Sequence, residues 1–214
     1  MRLNPTKKRP FVVGFVGGIA AGKTHFGAAL ESLGAVRIDA DAIGHRVLQD
    51  PAVQSRLCEL FGDAIVRSDG TLDRKALAAC VFGDTPVAKA AKLQLEELVH
   101  PRIHALAVAK LQEYQAACEP PVVVVIDAPL LLEAGWAPYC DAIIFIETPF
   151  AVRARRALER GWTETHLRDR EASQLPLNEK RKQATHVVSG QLDESQVAAY
   201  CEDLVAQIEM RSGA

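Results

Sequence analysis

Apolar residues fall into two rhythms along this chain. FVVGFV (11–16), VVVVI (122–126) and AIIFI (142–146) are short unbroken apolar runs rich in β-branched residues, and AVRI (35–38) and HVV (186–188) are briefer versions. Runs of this length without alternation predict strands buried on both faces, as in a parallel sheet. Elsewhere the spacing is helical. Phe26, Leu30 and Leu33 share one face over about Lys23 to Leu33, with Gly34 as the stop. Val197, Tyr200, Cys201, Leu204 and Ile208 do the same in a closing helix over 193–210. Residues 41–118 contain no convincing strand, only helical patterns punctuated by Asp50-Pro51, Ser68-Asp69-Gly70 and Asp84-Thr85-Pro86. The last of these, about 86–118, is expected to break at His100-Pro101, because the residue before proline is pushed away from helix and proline suits a first turn. Residues 149–174 read as helical and carry most of the arginines.

The order is strand, helix, strand, helical block, strand, strand, helices, strand. It predicts an α/β fold, a parallel β-sheet flanked by helices, with the helical block inserted into it and a second, arginine-rich appendage. Internal repeats and low-complexity tracts are missing from the sequence.

At 214 residues the chain can bury a full core. Its composition, 49% hydrophobic and 24% charged, is that of a globular protein, and a formal charge of −2 argues against a nucleic-acid binder that works by bulk charge. Five scattered cysteines (58, 80, 118, 140, 201) with no CxxC pair read as reduced thiols, mostly packing residues. MRLNPTKKRP is basic but lacks the apolar stretch of a secretory signal, and the longest apolar runs are too short to span a bilayer. The expectation is a soluble cytoplasmic protein with neither nucleic-acid nor membrane partners.

Residues 17–24, Gly17-Gly18-Ile19-Ala20-Ala21-Gly22-Lys23-Thr24, match GxxxxGK[ST] between a predicted strand and a predicted helix, the context that a phosphate-binding loop requires. Gly22 lets the backbone approach an anion, and N–H groups of the loop and helix start point inward at phosphate oxygens. Lys23 reaches the β- and γ-phosphates and the Thr24 hydroxyl ligates Mg²⁺. The candidate ATP contacts are Gly18, Ile19, Ala20, Ala21, Gly22, Lys23, Thr24 and His25. Asn178-Glu179-Lys180 does not continue into NKxD, and Asp127-Ala128-Pro129-Leu130 at the strand end has no glycine in place for DxxG, which argues against the guanine-nucleotide switches. A small P-loop protein with a helical insertion and a late arginine-rich helix reads as a small-molecule kinase.

Asp39-Ala40-Asp41 follows the second strand, at the carboxyl end where α/β sheets bind ligands. A carboxylate here either takes the proton of an attacking hydroxyl or caps the next helix, and two acids can fill both roles. Asp41 is favoured as the base and Asp39 as its support. Asp127 ends the VVVVI strand, where it either holds the water shell of Mg²⁺ or turns the chain before Pro129. Arg153, Arg155, Arg156 and Arg160 crowd one helix, with Arg168 and Arg170 on the next. Acids are nearly absent between 148 and 158, so the cluster calls for an anionic partner, which ATP phosphates supply. Arg156 and Arg160 share a face at i, i+4. His100 and His104 form HxxxH, but the intervening proline and the lack of partner cysteines or acids argue against zinc.

With these pieces in place, the chain resembles the dephospho-CoA kinase family over nearly its whole length. The resemblance rests on GGIxxGK[ST] at 17–24, the DAD of Asp39 to Asp41, Phe61-Gly62, and DGxLDRxxL running from Asp69 through Arg74 to Leu77. It continues with His100-Pro101, the PLLxE of Pro129 to Glu133, and RxxxR…RxxxQ at Arg156–Arg160 and Arg170–Gln174. The phosphate loop alone is widely shared; the other motifs in this order are far more specific. The resemblance implies phosphorylation of the ribose 3′-hydroxyl of dephospho-CoA by ATP, giving CoA and ADP, the last step of coenzyme A synthesis, with Mg²⁺ as cofactor. It implies Asp41 as base and Arg156 as the lid arginine on the transferring phosphoryl group. Arg74 and His100 are the candidate acceptor contacts beside Asp39 and Asp41. The implied organisation is one unit over 1–214: a P-loop core (10–40, 120–150, 184–212), a helical CoA-binding insertion (41–119) and a lid (151–183), monomeric or weakly self-associating.

Three places depart from the family pattern. Val16 stands where threonine is usual, Ala20 and Ala21 replace the glycine and serine of GIGSGKS, and ADxVIxNxG becomes residues 184–191 with Thr185 for aspartate and Gly190 for asparagine. Lys23, Thr24 and Asp41 are retained, so activity is expected. Two alternatives stay open: a P-loop kinase for another small acceptor, and a nucleotide-binding module whose catalysis is impaired by its altered loop.

Overall fold

Strand β1 (Phe11–Gly17) is buried at every position after the first. It lies between β3 (Val123–Asp127) and β4 (Ala142–Glu147) and runs parallel to both. β2 (Val36–Asp39) extends the sheet beyond β3, and β5 (His186–Ser189) extends it beyond β4, so the five-stranded order is β2-β3-β1-β4-β5. The three central strands β1, β3 and β4 coincide with the long apolar runs, because a strand covered on both faces has no solvent side on which to place polar residues. The edge strand β5 is instead exposed at His186, Val187 and Ser189, and is not buried on both faces as its run predicts. The computed structural model describes residues 9–83 and 85–212; the basic segment up to Lys8, Asp84 of the Asp84-Thr85-Pro86 punctuation, and the last two residues lie outside it.

Helices α1 (Lys23–Ser32) and α9 (Glu194–Ser212) cover one face of the sheet. Phe26 joins them to it: its ring lies 5.9 Å from Phe15 and meets Tyr200 edge-on at 5.8 Å. Leu33, assigned by its spacing to the buried stripe, is 38% exposed. The reason is that α1 stops one residue earlier, and the chain turns outward there through Gly34, whose φ is +89°.

Contacts divide the chain into two compact units, one comprising the chain up to Asp39 and from Leu111 onward, the other Ala40–Lys110. The helices α6 (Phe150–Glu159), α7 (Glu164–Ala172) and α8 (Leu177–Gln183), which fall in the segment read as a lid, belong to the sheet unit. The second unit holds α2 (Ala40–Val47), α3 (Pro51–Phe61), α4 (Arg74–Val81) and most of α5 (Pro86–Ala116). Two of its helix starts follow directly from sequence. The Asp50 carboxylate accepts the N–H groups of Ala52 and Val53, with Pro51 at the first helical position, and the Asp73 carboxylate accepts those of Lys75 and Ala76. Asp69 holds the preceding turn by accepting the N–H and hydroxyl of Thr71. Much of the DGxLDR segment is therefore turn and cap.

The expected break at His100-Pro101 does not occur: α5 is one helix with Pro101 inside it. Proline removes one rung of the ladder and costs about 3 kcal/mol in a helix interior. Burial on both sides of the proline offsets that local preference, with Ala88, Val99, Ala107 and Leu111 all below 9% exposed. Arg102 adds a donor in the affected turn, from Nη1 to Leu98 O at 2.8 Å. Among the described residues no helix is long and apolar enough to cross a membrane.

Candidate active site

The turn from β1 into α1 is held from outside by its carbonyls. Lys23 Nζ donates to Gly17 O at 3.2 Å and to Gly18 O at 2.9 Å. Arg153 Nη1 reaches Ile19 O at 3.5 Å, and Arg156 Nη1 reaches Ala20 O at 3.3 Å and Ala21 O at 3.2 Å. The Thr148 hydroxyl donates to Ala21 O at 2.9 Å. Gly22, with φ +111°, caps α1, and Ala20, with φ +59°, occupies the left-handed region that costs an L residue about 1–2 kcal/mol.

The amide groups divide differently. Ile19 N–H donates to the Glu171 carboxylate, Ala21 N–H to Gly18 O and His25 N–H to Gly22 O. The N–H groups of Ala20, Gly22, Lys23 and Thr24 make no hydrogen bond among the described residues. Four open donors at a helix start form an anion-binding nest. Of the eight loop residues expected to contact ATP, Ile19 thus has its amide engaged by a carboxylate, Ala21 spends its own on Gly18 O, and His25 uses its own on Gly22 O at the helix start. Thr24 is exposed on the first turn of α1.

Lys23 is the most perturbed cation of the site, its pKa pushed down to about 8. Burial is the main cause and the nearby Lys180 ammonium the next, opposed by Asp127 and Glu171. Lys180 is 2% exposed and its ammonium is held 3.0 Å from Glu133 and 2.9 Å from the Gln174 amide oxygen. The same Glu133 oxygen accepts Leu175 N–H at 2.9 Å, which fixes the connection between α7 and α8. Glu133 and Gln174, the polar ends of two sequence motifs, meet through this lysine. Spacing along the chain gave no sign of it.

Asp39 and Asp127 are register partners at the carboxyl ends of neighbouring strands. Asp127 also accepts Arg37 Nη1 at 3.3 Å, an ion pair that the strand-end reading did not include. Asp41 lies exposed in the first turn of α2. In its unit, Arg74 starts α4 with Nη2 2.8 Å from His45 Nε2. His100 is exposed within α5 and does not start a helix.

The arginine cluster is largely paired within the protein. Arg153 binds Glu171, Arg155 lies by Glu159 and Arg168 by Glu164. Arg156 reaches the loop and also Gly190 O, at 2.8 Å. Arg160, expected beside it, caps the C-terminus of α6, exposed, and its side chain makes no hydrogen bond or ion pair among the described residues.

The departures near the end of the chain also have physical partners. The Thr185 hydroxyl both accepts Ile143 N–H and approaches Ile143 O, each at 3.0 Å, and so ties β4 to the start of β5. A Cβ at Gly190 would lie 1.9 Å from Thr148 Oγ1 and 2.5 Å from Ala21 O, so Thr148 in this position excludes asparagine there. A pocket of about 480 Å³ abuts the loop at Gly18, with Arg153, Asn178 and Arg181 on its walls; the open amides of 20–24 do not line it.

The sequence model of the dephospho-CoA kinase family matches residues 11–195. A dephospho-CoA kinase of Rhodopirellula baltica is 32% identical over 92% of this chain and 90% of its own length. One of Xanthomonas axonopodis pv. citri is 36% identical over 80% of this chain and 82% of its own. A crystal structure from Thermus thermophilus superposes with a TM-score of 0.75 at 31% identity, covering 94% of this chain and 98% of that one. With the phosphate loop, the parallel sheet and these matches in agreement, the chain belongs to the dephospho-CoA kinase family.

Proposed function

We propose that the protein transfers the γ-phosphoryl group of ATP to the ribose 3′-hydroxyl of dephospho-CoA, giving CoA and ADP. The observation that carries this reading is the set of open N–H donors at Ala20, Gly22, Lys23 and Thr24 around a partly buried lysine, in a chain of this family. The donors cradle the phosphates, and the Lys23 ammonium exchanges the carbonyls of Gly17 and Gly18 for β- and γ-oxygens. Arg156 exchanges its loop carbonyls for the transferring group in the same way, since a guanidinium binds phosphate more strongly than neutral carbonyls. The Thr24 hydroxyl and, through water, Asp127 would hold Mg²⁺, a hard cation that takes oxygen ligands and would supply charge neutralisation to the phosphates.

Asp41 takes the proton of the 3′-hydroxyl as the bond from O3′ to the γ-phosphorus forms and the bond to the bridging oxygen of ADP breaks. Asp39 supports that carboxylate, and Arg74 and His100 contact the acceptor, with the helical insertion as its binding platform and 151–183 as the lid. Catalysis then consists of positioning and charge stabilisation.

The deciding assay follows ADP release from Mg-ATP with and without dephospho-CoA and weighs the product. The expected outcome is acceptor-dependent ADP together with a product one phosphate heavier than the acceptor. ADP formation indifferent to dephospho-CoA, or none at all, overturns the reading.

A further inference from the structure

One ion pair touches the phosphate loop on both sides of a single residue. Arg153 is 3% exposed; its Nε donates to Thr148 O at 3.0 Å, and its Nη1 pairs with Glu171 Oε1. That same carboxylate oxygen accepts Ile19 N–H at 2.9 Å, while Arg153 Nη1 reaches Ile19 O at 3.5 Å. The guanidinium also presses on Gly18, where a Cβ would lie 2.5 Å from Nη1. The other ion pairs of α6 and α7, Arg155–Glu159 and Arg168–Glu164, are exposed i, i+4 pairs on one helix each. Arg153–Glu171 joins the two helices to each other and to the loop.

We infer that Arg153 and Glu171 are positioning residues that preset the phosphate loop, an inference that rests on reading the loop as the ATP site. A buried ion pair gains little net stability over apolar side chains of similar size, so its value here lies in what it orients. With both polar groups of Ile19 engaged, the peptide planes on either side of it are set before nucleotide arrives. The open amides then begin at Ala20, and the ordering cost of binding is reduced in advance. The carboxylate stays clear of the phosphates because the guanidinium and the Ile19 amide hold its charge.

Two double variants test this, with folding checked by circular dichroism and melting. R153M/E171L removes both charges and leaves Ile19 N–H without its acceptor; R153Q/E171Q keeps neutral donors and acceptors at the same places. Affinity for Mg-ATP is measured by calorimetry, and KM for ATP and for dephospho-CoA is determined separately. The apolar pair is expected to weaken ATP about tenfold, with the KM for dephospho-CoA unchanged, and the amide pair to recover to within about threefold of the native protein. Native ATP affinity in the folded apolar variant overturns the inference, as does equal weakening in both variants. Failure of the unmodified protein to bind Mg-ATP strikes instead at the reading of the loop.

Discussion

Lys23 is asked to be both buried and charged, and its pKa of about 8 records the conflict. The folded value lies below the ordinary 10.5, so between about pH 8 and 10.5 the unfolded chain holds more protons at this group than the folded one. Its contribution to stability therefore rises with pH through that window, and the cost of burying the ammonium is fully present below pH 8. A Lys23→Met protein should lose this segment of the stability-against-pH curve, seen as a flatter melting profile from pH 8 to 10. Phosphate beside the ammonium reverses the shift. Binding of ATP should accordingly take up protons near pH 8 to 9, read as a dependence of calorimetric heat on the ionisation enthalpy of the buffer; heat independent of buffer would separate Lys23 from the phosphates. Lys23→Ala should cut turnover by about a hundredfold or more with the fold intact, because the charge is needed where negative charge gathers. Other single residues were legible only after folding. Ala20 takes a left-handed conformation in place of the usual glycine, and Thr185 supplies β4 with a hydrogen-bond partner. Gly190 is small because Thr148 fills its space.

α5 is the element on which local rules and packing disagree. A proline with a histidine before it predicts a boundary, yet the helix continues through both. Pro101→Ala restores one N–H to the ladder and removes the ring's clash, so it should stabilise the protein by about 1–3 kcal/mol. For a chain of this length that corresponds to about 2–4 °C of melting temperature per kcal/mol. A lower melting temperature would mean that the proline ring is itself part of the packing around α5. α6 and α7 teach a related lesson. Their arginines read as a cluster needing an anion, because acids are scarce in the same stretch of sequence. Folding brings Glu171 to Arg153 from the next helix, so local scarcity of charge did not mean scarcity in space. Arg156 remains directed at the loop and Gly190, and that placement required the end of β5 as well as α6.

At the scale of the whole molecule the two compact units separate the proposed tasks. The loop, Asp127 and the arginines of α6 belong to the sheet unit, whereas Asp41, Arg74 and His100 belong to the unit of Ala40–Lys110. Arg74→Ala should thus raise the KM for dephospho-CoA about tenfold while leaving that for ATP unchanged, measured by varying each substrate in turn. A rise in the ATP value alone would remove Arg74 from acceptor binding. The sequence by itself determined the strands, the phosphate loop and the family. Each of these depends on residues adjacent along the chain or on a short ordered pattern, which folding preserves. Only the tertiary structure decided that α5 runs through its proline, that Glu171 holds Ile19, and that Lys180 joins Glu133 to Gln174. The physical reason is the same each time: burial and ion pairing act between residues brought together across the fold, and their energies exceed the local preferences that a linear sequence displays.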